Sequence, residues 1–183
     1  QRAAEASGRP RTTLIVSHDY LDALTLGDRI VVLEGGRVTQ DSPREEALRH
    51  PRTPFLAAVT GHNVLQGEAL PHPAGADMRE VRVGPLLFHV SAGGEAPAGP
   101  VFLAFGPHEV ALSPGAVTGS PRNQFGVVVR EIVALPDRLR LHLDAGGVLL
   151  LADVVRSAAS ELGLQEGARA TASIKATAIE VYT

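Results

Sequence analysis

The chain has 183 residues, 44% of them hydrophobic, which is enough for one ordinary domain or two small ones with packed cores and argues against disorder along its length. Its formal net charge of -3, from 17 basic and 20 acidic residues, provides no broad positive field for nucleic acid or anionic lipid, so any anion site must be local. With no Cys there is no disulfide framework or thiolate metal site, and no apolar run approaches the ~20 residues of a membrane span.

The opening, Gln1 to Pro10, is polar and lacks the apolar core of a signal peptide, so a cytoplasmic location is expected. The only methionine is Met78, and the first recognisable element reads as the middle of a domain, so the sequence is expected to be part of a longer chain. Of the basic residues, Lys175 alone is lysine and the rest are arginine.

Thr12 to Val16 is a short β-branched and apolar run ending in Ser17, His18 and Asp19, the pattern of a buried strand that delivers polar residues to a site. Tyr20 to Leu26 follows with helical spacing and stops at Gly27. The apolar run Ile30 to Leu33 meets Gly35 and Gly36 and returns through Arg37 to Gln40, which predicts a hairpin. Asp28 is expected to pair locally with Arg29 or a neighbour. Ser42, Pro43 and Glu45 form a capping box with Pro at the first helical position, so a helix is predicted from there to about His50, and a shorter one between Thr53 and Val59.

From Asn63 the texture changes to short alternating segments separated by Gly and Pro, such as Arg138 to Leu143, the pattern of a β-barrel or sandwich. One helix is predicted in this half, Val155 to Leu162, closed by Gly163. The half also repeats itself. The segment Gly61 to Gly67 is similar to Ser120 to Gly126, and Phe105 to Leu112 to Ile174 to Val181, which predicts two copies of a small barrel, 61–114 and 120–183, joined by a linker at Ser113 to Gly119.

The stretch Leu14 to Gln40 (LIVSHDYLDALTLGDRIVVLEGGRVTQ), continued by Pro43, Pro51, Phe55 and Asn63 to Leu65, resembles the switch-loop region of ABC-transporter ATPases. The resemblance implies that residues 1–60 are the C-terminal remnant of an α/β nucleotide-binding domain, with His18 as the switch histidine that contacts the γ-phosphate. Imidazole suits that task because it can donate to a phosphate oxygen and change partners after cleavage. ATP and Mg are implied as cofactors of a complete subunit only. The glycine-rich phosphate loop with its lysine, the Leu-Ser-Gly-Gly signature and the acidic strand end are all absent from this sequence, so no ATP turnover is expected of the chain by itself.

Ser120 to Asn123 at one end and Ser173 to Ile179 at the other resemble the TOBE or Mop module of molybdate-importer ATPases. The resemblance implies an α+β chain overall, with residues 61–183 forming a mainly-β, OB-like tandem barrel that binds molybdate or tungstate. It also implies a homodimer working with a membrane permease at the inner face of the membrane. A fully deprotonated tetrahedral dianion carries only acceptors, so its site should present donors alone. Ser120, Arg122, Asn123, Lys175, Ala176 and Thr177 are the candidate oxyanion ligands, Lys175 foremost among them. Pro121 removes one amide, and the first copy carries His62 rather than Arg before Asn63 and Gly106 where domains of the resembled family commonly carry Arg before Pro107, so its site is expected to be degenerate. The alternative is a purely structural TOBE dimerisation module in an importer of another cargo, such as sulfate, a sugar or a polyamine.

Overall fold

A computed structural model describes residues 12–17, 25–53, 56–57, 61–73, 75–92 and 98–183. The chain divides into two compact units, Gln1–Arg49 and His50–Thr183. The division falls ahead of the textural break at Gly61 because residues 50 and 51 are tied to the end of the chain. His50 Nε2 lies 2.7 Å from Glu180 Oε1, and the Tyr182 hydroxyl donates to the Pro51 carbonyl at 2.5 Å.

In the first unit, Arg29–Glu34 (β1) and Arg37–Pro43 (β2) form the predicted antiparallel hairpin. Gly35 and Gly36 occupy its turn with φ of +56° and +76°, backbone angles that glycine adopts without steric cost. Three expectations are corrected here. Thr12 to Ser17 is not a strand, and Leu14 and Val16 are 87% and 89% exposed, as apolar residues must be when no neighbouring strand covers them. Arg29 reaches across the hairpin to Asp41 at 2.6 Å rather than pairing with Asp28, because cross-strand side chains face each other and chain neighbours do not. Ser42 and Pro43 end β2 instead of capping a helix. The Ser42 hydroxyl accepts from Gln40 at 3.2 Å, and the helix α1 spans Arg44–Arg49. His18 and Phe55 lie outside the described residues, as does most of the helix expected between Tyr20 and Leu26.

The second unit is built from two curled five-stranded sheets. At its start Thr53 Oγ1 accepts from the Leu56 amide at 3.1 Å, a capping bond to the turn that holds Leu56 and Ala57. The first half of the repeat contributes Asn63–Ala69 (β3), Met78–Val83 (β4), Leu86–Ser91 (β5), Gly99–Phe105 (β6) and Ala111–Ser113 (β7). The second contributes Asn123–Ala134 (β8), Leu139–Ala145 (β9), Val148–Val154 (β10), Arg169–Ile174 (β11) and Glu180–Tyr182 (β12), with the predicted helix at Arg156–Glu161 (α2). A 3-10 turn precedes the last strand of each half, at Pro107–Glu109 and Ala176–Ala178.

The two copies do not close separately, as the repeat alone suggested they would. One sheet runs β12-β6-β3-β4-β5 and the other β10-β9-β8-β11-β7, so each half gives its last strand to the sheet of the other. Both sheets bury a shared core in which Phe88, Leu103, Leu141, Leu143, Leu150 and Ile174 have no exposed surface. Phe88 of the first half packs at a tilt against Phe125 of the second with ring centres 4.7 Å apart. The alternation read in the sequence around Leu139 to Ala145 is the inward and outward pleat of β9, where Leu141, Leu143 and Ala145 point inward.

Candidate functional site

The site begins with a buried asparagine. Asn123 opens β8 opposite Ile174, the last residue of β11, and is 1% exposed. Its Oδ1 accepts from the His89 amide at 2.7 Å, and its Nδ2 donates to the carbonyls of His89 at 2.9 Å and Ile174 at 3.2 Å. One side chain thus clasps the start of β8, the end of β11 and the middle of β5, which comes from the other half. A buried amide of this kind must be satisfied, and only this three-way meeting satisfies it.

That clasp brings the chain before Asn123 and the chain after Ile174 to the same place. They form one wall of a cleft of about 360 Å³, into which Ser120, Arg122, Lys175, Ala176 and Thr177 face. Asp77, Met78 and Ser91, at or just before the outer ends of β4 and β5, also line it. The linker is held ahead of Ser120 by Gln124, whose amide bonds to the backbone of Val117 in both directions at 2.8 Å. Lys175 is extended (φ -71°, ψ 141°) and starts the 3-10 turn, whose closing bond runs from the Ala178 amide to the Lys175 carbonyl at 3.1 Å. The amides of Ala176 and Thr177 come before that bond, so the turn itself leaves them without an acceptor.

Five of the six candidate ligands therefore share one cleft. Asn123 is the exception: it lies behind the wall, with its amide committed to backbone, and positions the site without lining it. Asp77, Met78 and Ser91 were not found by sequence reasoning. They reach the cleft from about 30 to 100 residues away through strand exchange, and no local pattern marks them. Ser91 adds a hydroxyl donor, whereas Asp77 adds a carboxylate, so the donor-only expectation is corrected by one acceptor group. Arg122, Lys175, Ser120 and Thr177 are exposed, so the cleft is open to solvent.

Residues 119–181 match the family described as the TOBE domain. Over 172 residues, 93% of its length, the chain is 31% identical to the molybdate/tungstate import ATP-binding protein of Pyrococcus horikoshii, covering 47% of that protein. It is 32% identical over 173 residues, 92% of its length, to the molybdenum import ATP-binding protein of Mycobacterium tuberculosis, covering 46% of it. Among solved structures it is similar to the cytoplasmic molybdate-binding protein ModG, with a TM-score of 0.57 and 26% identity, over 65% of this chain and 94% of that one. The chain spans about half the length of the curated relatives it matches. By these likenesses the chain resembles, over nearly all of its own length, part of an import ATP-binding protein, and its residues 119–181 match the TOBE domain.

Proposed function

We propose that this chain is the oxyanion-sensing part of an ABC importer ATP-binding subunit whose cargo is molybdate or tungstate. The observation that carries the reading is the convergence of Ser120, Arg122, Lys175 and Thr177 on one cleft that Ser91 also lines. Two cations, three hydroxyls and the turn amides of Ala176 and Thr177 suit a tetrahedral dianion, which offers acceptors on every side. The names of the relatives and of the structural neighbour support the choice of ligand.

On this reading residues 1–60 continue a nucleotide-binding domain, ATP and Mg are handled by a complete subunit in which His18 is the switch histidine, and the subunit works as a homodimer against a membrane permease. Ligand binding to the β unit then biases the subunit between two arrangements, which requires that it bind one of them more tightly. The open cleft fits such a role, since a second surface could close over a ligand held there.

Calorimetric titration with molybdate, tungstate, sulfate and phosphate tests the proposal. Saturable binding of the first two is expected, with Lys175→Ala weakening it by about 10- to 100-fold, the equivalent of one hydrogen bond to a charged group. Sulfate shares the charge of molybdate but is smaller, and hydrogen phosphate would set its proton against Asp77, so their ranking reports how size and the carboxylate divide the specificity. No saturable heat with any of the four would leave the β unit as a structural dimerisation module.

A further inference from the structure

The two halves of the β unit correspond in register as well as in sequence. Asn63 faces Phe105 as Asn123 faces Ile174, and Asn63 clasps Leu151 of β10 at 2.6 and 3.0 Å as Asn123 clasps His89 of β5. Counting from the hairpin turns, the sixth pair is Met78 with Ser91 in one half and Arg140 with Asp153 in the other. Since Met78 and Ser91 line the oxyanion cleft, Arg140 and Asp153 mark its counterpart, beside Gly61 and Gly106.

The counterpart is filled by the protein's own side chains. Arg140 donates from Nε and Nη2 to the two oxygens of Asp153 at 2.8 and 2.9 Å, and Arg138 Nε donates to the same carboxylate at 2.9 Å. The Asp153 side chain is only 7% exposed. A Cβ on Gly61 would stand 2.8 Å from Arg140 Nη1, and one on Gly106 would stand 2.3 Å from the His108 ring, so guanidinium and imidazole already occupy the space beside these glycines. Hydrogen bonding from Arg140 also holds the Asp153 carboxyl below its usual range, so it is ionised at neutral pH.

We infer that Asp153 is a resident anion in the second, pseudo-equivalent site: a carboxylate takes from Arg138 and Arg140 the bonds that an oxyanion would otherwise take, so that each chain binds one oxyanion and not two. The fixed carboxylate occupies the Arg140 fork and its charge repels a second anion, so it excludes the free ligand. The inference deepens the oxyanion reading by setting the stoichiometry and identifying what silences the other half. It makes a chemical prediction that degeneracy by drift does not. Removing the carboxylate should free Arg140 and the Nε of Arg138, whose Nη1 stays on Asp137, to take an anion from solvent and create a site.

The test is titration with tungstate of Asp153→Ser, which installs the residue found at Ser91, both alone and with Lys175→Ala. Folding is checked by circular dichroism and elution volume. The wild type should bind one equivalent per chain, Asp153→Ser two, and the double variant should keep the gained equivalent, which weakens as salt is raised, while the equivalent in the first cleft weakens about 10- to 100-fold. A folded double variant that binds no tungstate overturns the inference, as does a wild type that binds two. If Asp153→Ser does not fold, Asp153→Ala, which removes both the charge and the bulk of the carboxylate, must gain the second equivalent at lower affinity, and its failure to do so is equally decisive against the inference. Binding by the double variant with none by the wild type would sink the proposed oxyanion function and leave this inference standing. One equivalent in the wild type with no gain in either Asp153 variant would do the reverse.

Discussion

Two positive charges and one negative charge line the cleft, and the negative one opposes the proposed ligand. Asp77 is exposed, so its field is damped by solvent and salt, and its effect on a dianion is that of a surface charge, roughly 0.2–1 kcal/mol. Replacing it with Asn keeps the shape and removes the repulsion. Asp77→Asn is therefore expected to tighten molybdate binding by about 2- to 5-fold, with the gain shrinking as salt is raised. Titrations at two ionic strengths check this, and an unchanged or weaker affinity at low salt would place the ligand away from Asp77. The reverse is expected for hydrogen phosphate, whose proton can use the carboxylate as an acceptor, so the variant should widen the preference for molybdate over phosphate. Neither Asp77 nor Ser91 was legible in the sequence, because what makes them site residues is the hairpin end they share, and that end meets Lys175 only through pairing between distant strands. Lys175 was legible because it is the sole lysine among many arginines and falls in a matching segment.

At the scale of elements, the two clasps hold the halves in register. Asn123→Ala would leave the amide and carbonyl of His89 and the carbonyl of Ile174 without this partner, and a buried polar group stripped of its bond costs about 1–3 kcal/mol. A loss of about 2–4 kcal/mol of stability is expected, read as an earlier urea midpoint with the slope unchanged, and a loss below 1 kcal/mol would show that the clasp is dispensable. Oxyanion affinity should fall only as far as the walls of the cleft move, since Asn123 does not line it. The sequence marks Asn63 and Asn123 as matching positions, and so reveals the repeat, but their role as interior clasps depends on partners 88 and 34 residues away that no local pattern contains. Hairpins, strands such as β9, and α2 were legible because their periodicity and turn residues are local. Thr12 to Val16 misled for a related reason: a β-branched apolar run becomes a strand only beside another strand, and among the described residues none pairs with it.

For the β unit as a whole, the exchange of β7 and β12 means that neither half has a complete sheet without the other. The last strand carries more than its three ladder pairs. Tyr182 stacks on Phe102 of β6 at 5.5 Å between ring centres, its hydroxyl donates to the Pro51 carbonyl, and burial pushes that hydroxyl well above the usual phenol range. His50, tied to Glu180, packs against the same ring at 4.8 Å. Ending the chain at Ile179 would remove these contacts together, open the β6 edge and uncover Phe102, leaving a row of unpaired backbone groups beside apolar surface. Because the other sheet shares the same core, the damage should not stay in the first half. The truncated chain is expected to unfold in a single transition at lower urea than the intact one, with near-UV signals from both halves lost together, and to self-associate through β6. Two separate transitions, with the second half retaining its intact midpoint, would instead mean that the repeats fold as independent barrels. In that case strand exchange could not be what couples the proposed oxyanion cleft of one half to the backbone of the other.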